Sequence, residues 1–246
     1  MNHKITVFRG DGIGPELVDN VLKILKAANA PLEYEIYNVG EDEWKRNGAL
    51  IPEEAYASFE RTKVLLKSPI TTPIGHGFRS LNVTLRKKYD LYANIRPAKS
   101  STAVETPFHD VDMVIFRENT EGEYVLGSRG VELPGMAVDF KVTTDLGTRR
   151  IARAAFDYAK NNGKTHVAVV TKANIMKKTD GKFTAICHEV AADYPGITVD
   201  DYYIDIMTAN LLKEPLREQF QVVLLPNLYG DIITDEAAQI QGGVGT

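Results

Sequence analysis

The feature that most constrains the fold is a repeated alternation of short apolar runs with helical patterns. Strand-like apolar runs occur at residues 5–8, 32–39, 64–66, 91–95, 111–116, 166–171, 198–204 and 222–225. Apolar residues recur at helical spacing in two segments, one after Pro15 and one after a predicted helix cap at Thr144. The apolar positions of these two patterns are Leu17, Val21, Ile24 and Leu25, and Ile151, Ala155, Tyr158 and Ala159. This alternation predicts an α/β fold with a largely parallel sheet.

One stretch, residues 125–143, interrupts the alternation. Its sequence, VLGSRGVELPGMAVDFKVT, has glycines, one proline and β-rich ends. We expect an excursion from the main fold here, in the form of a two-stranded arm.

Composition restricts the classes of function. The 246 residues carry a formal net charge of −4, which argues against a general nucleic-acid binder because such proteins cluster Lys and Arg against phosphates. The single cysteine, Cys187, allows no internal disulfide, so the cytoplasm is the default compartment. The N-terminal apolar run is far shorter than the roughly 18 residues of a membrane span. We therefore expect neither a secretion signal nor a membrane segment.

An acidic motif, PNLYGDIITDE, directly follows the apolar run at residues 222–225. Asp231 and Asp235 are four residues apart, so on a helix beginning after Gly230 they share one face. Two carboxylates so placed are hard oxygen ligands for Mg²⁺ or Mn²⁺. A helix cap explains such aspartates at least as well, so the spacing by itself leaves both interpretations open.

Hydrogen-bond donors suited to carboxylates recur in residues 71–86, 92–97 and 117. The donors are Ser80, Asn82, Arg86, Arg96 and Arg117. Guanidinium groups pair bidentately with carboxylates, as a di- or tricarboxylate ligand would require. A single arginine is usually a solvated surface residue, but three near the ends of successive strands favour an anion site.

Two polar segments, RENTEGEY at residues 117–124 and KANIMK at 172–177, also directly follow apolar strands, where α/β proteins place catalytic loops. Tyr124 and Lys172 can act as acid and base if neighbours lower their pKa values, although a lone Tyr or Lys is usually structural or solvated. The early turn GDGIGPE lacks the G-x-G-x-x-G spacing, so we predict no Rossmann fingerprint.

Five segments in fixed order now match one pattern: GDGIGPE, TTPIGHGFRSLNVTLR with DLYANIRP, RENTEGEY, KANIMK and NLYGDIITDEAA. Together they closely resemble the metal-dependent β-decarboxylating dehydrogenases, the family of isocitrate and 3-isopropylmalate dehydrogenases. The resemblance implies a two-domain isopropylmalate dehydrogenase-like fold with mixed sheets flanked by helices. Residues 1–97 would form part of a large domain, 98–241 a small domain with a dimerisation arm near 125–143, and 242–246 the return to the large domain. Family members continue past this point, so we expect the C-terminal part of the large domain to be missing.

The resemblance also implies a role for each candidate residue. Ser80, Asn82, Arg86, Arg96 and Arg117 would bind substrate carboxylates, Tyr124 would donate a proton, and Lys172 would be the catalytic lysine. Thr71, Thr72 and Asn174 would lie near the cofactor. Asp205, Asp231 and Asp235 would bind the metal. In the family, Asp205 and Lys172 reach into the other subunit, which implies a homodimer with shared sites.

The activity implied is oxidative decarboxylation of isocitrate to 2-oxoglutarate, a tricarboxylic acid cycle reaction, with Mg²⁺ or Mn²⁺ and with NAD favoured over NADP. The polar groups of Ser80 and Asn82 suit the third carboxylate of isocitrate, whereas an isopropylmalate enzyme should present apolar groups there. Homoisocitrate, 3-isopropylmalate and tartrate-type substrates remain alternatives, as does a non-catalytic regulatory subunit. We expect a cytoplasmic protein, or one of an organelle matrix, that binds a small polycarboxylate and neither nucleic acid nor membrane.

Overall fold

The computed structural model describes residues 2–70, 81–126 and 129–243. The chain divides into two compact units, Met1–Leu85 and Arg86–Thr246. The assignment of residues 1–97 and 98–241 to a large and a small domain stays a prediction.

The first unit is built on a small parallel sheet. Its elements are β1 (His3–Phe8), α1 (Gly14–Ala27), β2 (Leu32–Tyr37), α2 (Glu41–Asn47), α3 (Glu53–Thr62) and β3 (Leu65–Lys67), and α4 (Leu81–Lys88) begins here and ends in the second unit. The strand order is β2-β1-β3, with both pairings parallel. Ile5 and Val7 of the central strand pack against Val18 of α1, which gives this unit a small core of its own.

The second unit contains a five-stranded sheet and a separate hairpin. Its elements are β4 (Ala93–Lys99), β5 (Asp112–Glu118), β6 (Val131–Leu133), β7 (Met136–Val138), α5 (Asp145–Asn161), β8 (His166–Thr171), α6 (Thr179–Ala191), β9 (Thr198–Tyr203), α7 (Ile204–Leu211), β10 (Val222–Leu225) and α8 (Asn227–Gln241). The strand order is β4-β5-β10-β8-β9, in which only the β4–β5 pair is antiparallel. The predicted α/β fold with largely parallel sheets is therefore confirmed.

Helices cover both faces of this five-stranded sheet. On one face, α5 and α6 pack on β5, β8 and β10 through residues such as Phe116 and Phe156. On the other face, α7 and α8 pack on the same strands through residues such as Ile115 and Ile233. The four residues of β10 are completely buried, which explains why this strand reads as an uninterrupted apolar run.

Residues 131–138 form the expected two-stranded excursion, with β6 antiparallel to β7. The apolar residues Val131, Leu133, Met136 and Val138 are exposed on this arm. A role for the arm in dimerisation stays a prediction. The helix that follows is capped as expected, because the Thr144 hydroxyl accepts a hydrogen bond from the N–H of Gly147 at 3.1 Å.

The start of α8 differs from the sequence prediction. The helix begins at Asn227 and not after Gly230, so Gly230 lies inside it. A Cβ at Gly230 would collide with the Arg117 side chain. The glycine is therefore explained by close packing and does not mark a helix start. Within residues 2–70, 81–126 and 129–243, every helix is too short or too polar to cross a lipid bilayer.

Candidate active site

Three polar segments lie at one edge of the five-stranded sheet. The parallel strands β5, β10 and β8 end at Glu118, Leu225 and Thr171. Because neighbouring parallel strands end at the same edge, the segments that follow them lie side by side. These segments carry Tyr124, Asp231 and Lys172, so the fold places all three at the edge where α/β proteins bind ligands.

Arg117, near the end of β5, anchors the start of α8. Its side chain is 2% exposed, and its Nη1 forms an ion pair with Asp231 Oδ1. Its Nε and Nη2 both donate to Asn227 Oδ1, at 3.0 and 2.7 Å. Asn227 Nδ2 in turn donates to the carbonyl oxygen of Glu121 at 2.9 Å. A buried guanidinium needs such partners, and here they join the strand, the helix and the intervening loop.

Tyr124 shares the carboxylate of Asp231 with Arg117. The Tyr124 hydroxyl donates to Asp231 Oδ2 at 2.9 Å, and the Arg117 guanidinium carbon lies 5.6 Å from the ring centroid. Burial raises the pKa of Tyr124 above its ordinary value of 10.0, and the hydrogen bond and charge of Asp231 raise it further. The hydroxyl is therefore protonated at neutral pH, as a proton donor must be.

Three guanidinium groups interact in this region. Burial lowers the pKa of Arg86, and the positive charges of Arg117 and Arg96 lower it further, whereas Asp231 acts in the opposite sense. In the β4–β5 register Asn94 lies opposite Arg117, which puts Arg96 on the same face of the sheet as Arg117. Positive charges brought together in this way attract an anionic ligand. The carboxylate-binding role of Arg86, Arg96 and Arg117 stays a prediction.

Lys172, the first residue after β8, contacts Asp205 of α7 in the same chain. Lys172 Nζ lies 2.5 Å from Asp205 Oδ1 and 5.8 Å from the centroid of the Tyr203 ring. The hydrogen bond from Lys172 is the largest influence that lowers the pKa of Asp205. The predicted reach of Lys172 and Asp205 into a second subunit stays a prediction.

The predicted metal ligands divide into two places. Asp231 and Asp235 both lie on α8, four residues apart and both accessible to solvent, so they present two carboxylates on one side of the helix. Asp205 lies on α7, where it pairs with Lys172. The described residues contain no group of three or more Asp, Glu, His or Cys side chains that could hold a metal ion. The donor chemistry fits Mg²⁺ or Mn²⁺ through two oxygen ligands of this chain, with the other ligands coming from elsewhere.

Five further residues were predicted to belong to the site. Asn82 is exposed on α4 in the first unit, and Asn174 is exposed in the loop after β8. Thr71, Thr72 and Ser80 lie outside the residues that the structure describes. The roles assigned to these five residues stay predictions.

The residues that hold the Tyr124 loop in place are not among those predicted from the sequence. The Glu118 carboxylate accepts the N–H of Thr120 at 2.9 Å and that of Glu121 at 2.7 Å, and burial raises the pKa of Glu118. Glu121 in turn accepts the N–H of Thr144 at 2.9 Å, which ties the loop to the start of α5. The available signal was the run of polar residues directly after a buried strand, because buried polar groups require partners.

Comparisons with known proteins show the family of the chain. The family model described as isocitrate/isopropylmalate dehydrogenase matches residues 4–246. The chain is 44% identical over 241 residues to the mitochondrial isocitrate dehydrogenase [NAD] subunit alpha of Bos taurus, which covers 98% of this chain and 65% of that protein. It is 45% identical over 242 residues to the chloroplastic 3-isopropylmalate dehydrogenase of Solanum tuberosum, which covers 98% of this chain and 67% of that protein.

A solved structure shows the same likeness. The crystal structure of isocitrate dehydrogenase from Methylococcus capsulatus superposes with a TM-score of 0.91 at 40% identity, over 99% of this chain and 72% of that one. This likeness confirms the predicted fold class. The chain spans about two thirds of the length of the curated relatives that it matches, for example 65% of the Bos taurus protein.

Proposed function

The chain belongs to the isocitrate/isopropylmalate dehydrogenase family, and we propose that the complete protein oxidises and decarboxylates isocitrate to 2-oxoglutarate with hydride transfer to NAD. Sequence identity does not choose the substrate, because an isocitrate and a 3-isopropylmalate dehydrogenase match at 44% and 45%. The observation that carries the proposal is the grouping of Arg86, Arg96 and Arg117 beside the Tyr124 hydroxyl.

The arginine cluster suits a ligand with several carboxylates. The positive charge of Arg117 is balanced by Asp231, whereas Arg86 lies under the influence of two other guanidinium groups and one carboxylate. A tricarboxylate would relieve this repulsion better than a ligand with fewer charges. Asn82 and Ser80 would add neutral donors, which favours a carboxylate over an isopropyl group at the variable end of the substrate.

Two residues of this chain would move protons. Tyr124, whose hydroxyl is protonated and points to Asp231, would return a proton to the carbon that loses carbon dioxide. Lys172 would accept the proton of the substrate hydroxyl during oxidation. A divalent ion held by Asp231 and Asp235, with Asp205 from a second copy of the chain, would polarise the new carbonyl group of the substrate.

The direct test is turnover by the complete protein. Isocitrate with Mg²⁺ or Mn²⁺ should produce reduced nicotinamide from NAD, and removal of the ion with a chelator should stop the reaction. Parallel assays should use NADP, 3-isopropylmalate, homoisocitrate and tartrate. Faster turnover of 3-isopropylmalate than of isocitrate would contradict the substrate assignment. Calorimetric binding of isocitrate without turnover of any substrate would instead assign a regulatory subunit.

We also propose that two copies share each site, and mixing two inactive variants tests this. If Lys172 acts in the site of the other copy, a dimer of one Tyr124→Phe and one Lys172→Met chain contains one intact site. Random mixing of the two variants should then restore about a quarter of wild-type activity. If each chain uses its own Tyr124 and Lys172, the mixture stays inactive. The compartment of the protein, cytoplasm or organelle matrix, stays a prediction.

A further inference from the structure

A buried lysine that the reaction does not use lies behind the candidate site. Lys141 follows the β6–β7 hairpin in the segment leading to α5, and its side chain is 5% exposed. Its Nζ lies 2.6 Å from Asp180 Oδ1, 3.4 Å from Glu123 Oε1 and 4.2 Å from the centroid of the Tyr229 ring. Burial by itself lowers the pKa of Lys141, but Asp180 and Glu123 outweigh burial and raise it. The ammonium group is therefore charged although it is withdrawn from water.

On one side, this ammonium group reaches the segment that carries Lys172. The Asp180 side chain is completely buried, and while Oδ1 faces Lys141, Oδ2 accepts the backbone N–H of Lys172 at 2.7 Å. Lys141 Nζ and Asp180 Oδ1 form an ion pair, but their angles do not meet those of a standard hydrogen bond. The Asp180 carboxylate thus connects Lys141 to the first residue after β8.

On the other side, the ammonium group reaches the two segments that carry Tyr124 and Asp231. Glu123 directly precedes Tyr124, and paired hydrogen bonds of 2.9 and 3.2 Å between Gly122 and Val142 hold this loop beside Lys141. Tyr229, whose ring faces the ammonium group, lies on α8 two residues before Asp231. One positive charge therefore contacts the Tyr124 loop and α8 directly and the Lys172 segment through the Asp180 carboxylate.

We propose that Lys141 is a positioning residue that holds the Tyr124 loop, the Lys172 segment and α8 in the arrangement required for catalysis. This inference rests on the proposed dehydrogenase function. Lys141 does not touch the arginine cluster in any contact described above, so it should act on the placement of the proton-transfer residues and not on substrate affinity. A well-packed apolar side chain often replaces a buried ion pair without loss of stability. The charge is needed here because a single group must hold three separate segments.

The test compares variants of the complete protein. Lys141→Met removes the charge and keeps much of the volume, and Lys141→Arg keeps the charge. The double variant Lys141→Met/Asp180→Asn removes the completely buried carboxylate that the single variant would leave without its cation, so it serves if the single variant does not fold. The matched control is Lys164→Met, which breaks the 2.9 Å ion pair with Asp112 at the opposite edge of the same sheet. Each variant is assayed for isocitrate kcat and KM and for hydrogen exchange of the Lys172 amide.

We expect Lys141→Met to lower kcat by about tenfold or more while the KM for isocitrate changes little, because small displacements of catalytic groups reduce rates strongly. Lys141→Arg should recover most of kcat, and Lys164→Met should match the wild type. Exchange should rise at the Lys172 amide and in the Tyr124 loop only. Equal kcat in Lys141→Met and Lys164→Met, or exchange raised throughout the chain, would overturn the inference. If the wild type has no isocitrate turnover, the proposed function fails, and hydrogen exchange alone decides the positioning role.

Discussion

Arg117 and Asp231 form an ion pair whose two ends lie in different surroundings, since the Arg117 side chain is 2% exposed and the Asp231 side chain 46%. The arginine is fixed in the interior, while its partner stays accessible to ligands. Asn227 completes the contacts by accepting two hydrogen bonds from the same guanidinium group. Arg117 therefore supports the fold in addition to its proposed role in binding substrate.

We expect Arg117→Met to lower the free energy of unfolding by about 1–3 kcal/mol, because it leaves the buried carboxamide oxygen of Asn227 without its donors, whereas the Asp231 carboxylate is partly exposed. The matched control is Arg149→Met, since Arg149 pairs with Glu189 at the surface, where the two side chains are 41% and 59% exposed. That change should cost less than about 1 kcal/mol. Urea unfolding of both variants measures the difference, and equal losses would contradict the structural role of Arg117.

Tyr124→Phe should lower kcat by about 10²–10⁴-fold, the usual effect of losing a general acid. The control is Tyr194→Phe, which removes a comparable hydroxyl that donates to Asp157 Oδ1 at 2.7 Å between α5 and the end of α6. Each variant loses one hydrogen bond and should lose about 0.5–1.5 kcal/mol of stability. Only the first should lose activity, and full activity of Tyr124→Phe would exclude the assigned proton transfer.

The Asp112–Lys164 pair should make stability depend on pH. The hydrogen bond from Lys164 lowers the pKa of Asp112 below its ordinary value of 3.8. A carboxyl whose folded-state pKa is lowered stabilises the fold above its unfolded pKa, and this contribution is lost as the pH falls through the folded pKa. At neutral pH Asp112→Asn should therefore cost less than about 1 kcal/mol, because Asp112 is largely exposed.

The measurement for Asp112 is urea unfolding of wild type and variant at neutral and acidic pH. The cost of Asp112→Asn should vanish once the pH falls below the folded-state pKa of Asp112. In a Lys164→Met background the same substitution should show a much weaker pH dependence. A cost that stays constant from neutral to strongly acidic pH would contradict the assigned pKa direction.

Cys187 should be chemically silent in the folded protein. Its side chain is completely buried in α6, and burial raises the pKa of its thiol well above the ordinary value of 9.0. Because the thiolate is the reactive form, thiol reagents should not label the native chain at mildly alkaline pH. Labelling should appear only when urea unfolds the second unit. Since the chain has a single cysteine, rapid labelling in native buffer would directly show that this helix opens.

Sequence patterns predicted the elements of the fold better than their contacts. The apolar runs identified the strands because parallel strands covered on both faces need apolar side chains throughout, as in β10 and β8. The start of α8 was predicted too late because Gly230 was interpreted as a helix start, whereas the glycine makes room for Arg117, a residue 113 positions earlier in the chain. Long-range packing of this kind has no local signal.

For the candidate site, too, the sequence indicated individual residues better than the contacts between them. Tyr124, Asp231 and Lys172 stand out because polar residues directly follow buried strands. The sequence did not reveal that Arg117 and Tyr124 share the Asp231 carboxylate, or that Asp180 links Lys141 to Lys172. These contacts join segments far apart in the sequence, so they depend on strand order, which periodicity does not specify.

Apart from Arg117, the described residues of the candidate site lie outside the hydrophobic core of the second unit. The two core clusters include none of the described residues assigned to substrate, proton transfer or metal, which lie on α4, β4, α7 or α8, near the end of β5, or in the segments after β5 and β8. The exposed residues 174–178 can therefore vary without repacking the interior. For laboratory evolution, libraries confined to residues 174–178 should yield mostly folded variants, whereas libraries that include Arg117, Asn119 or Gly122 should not.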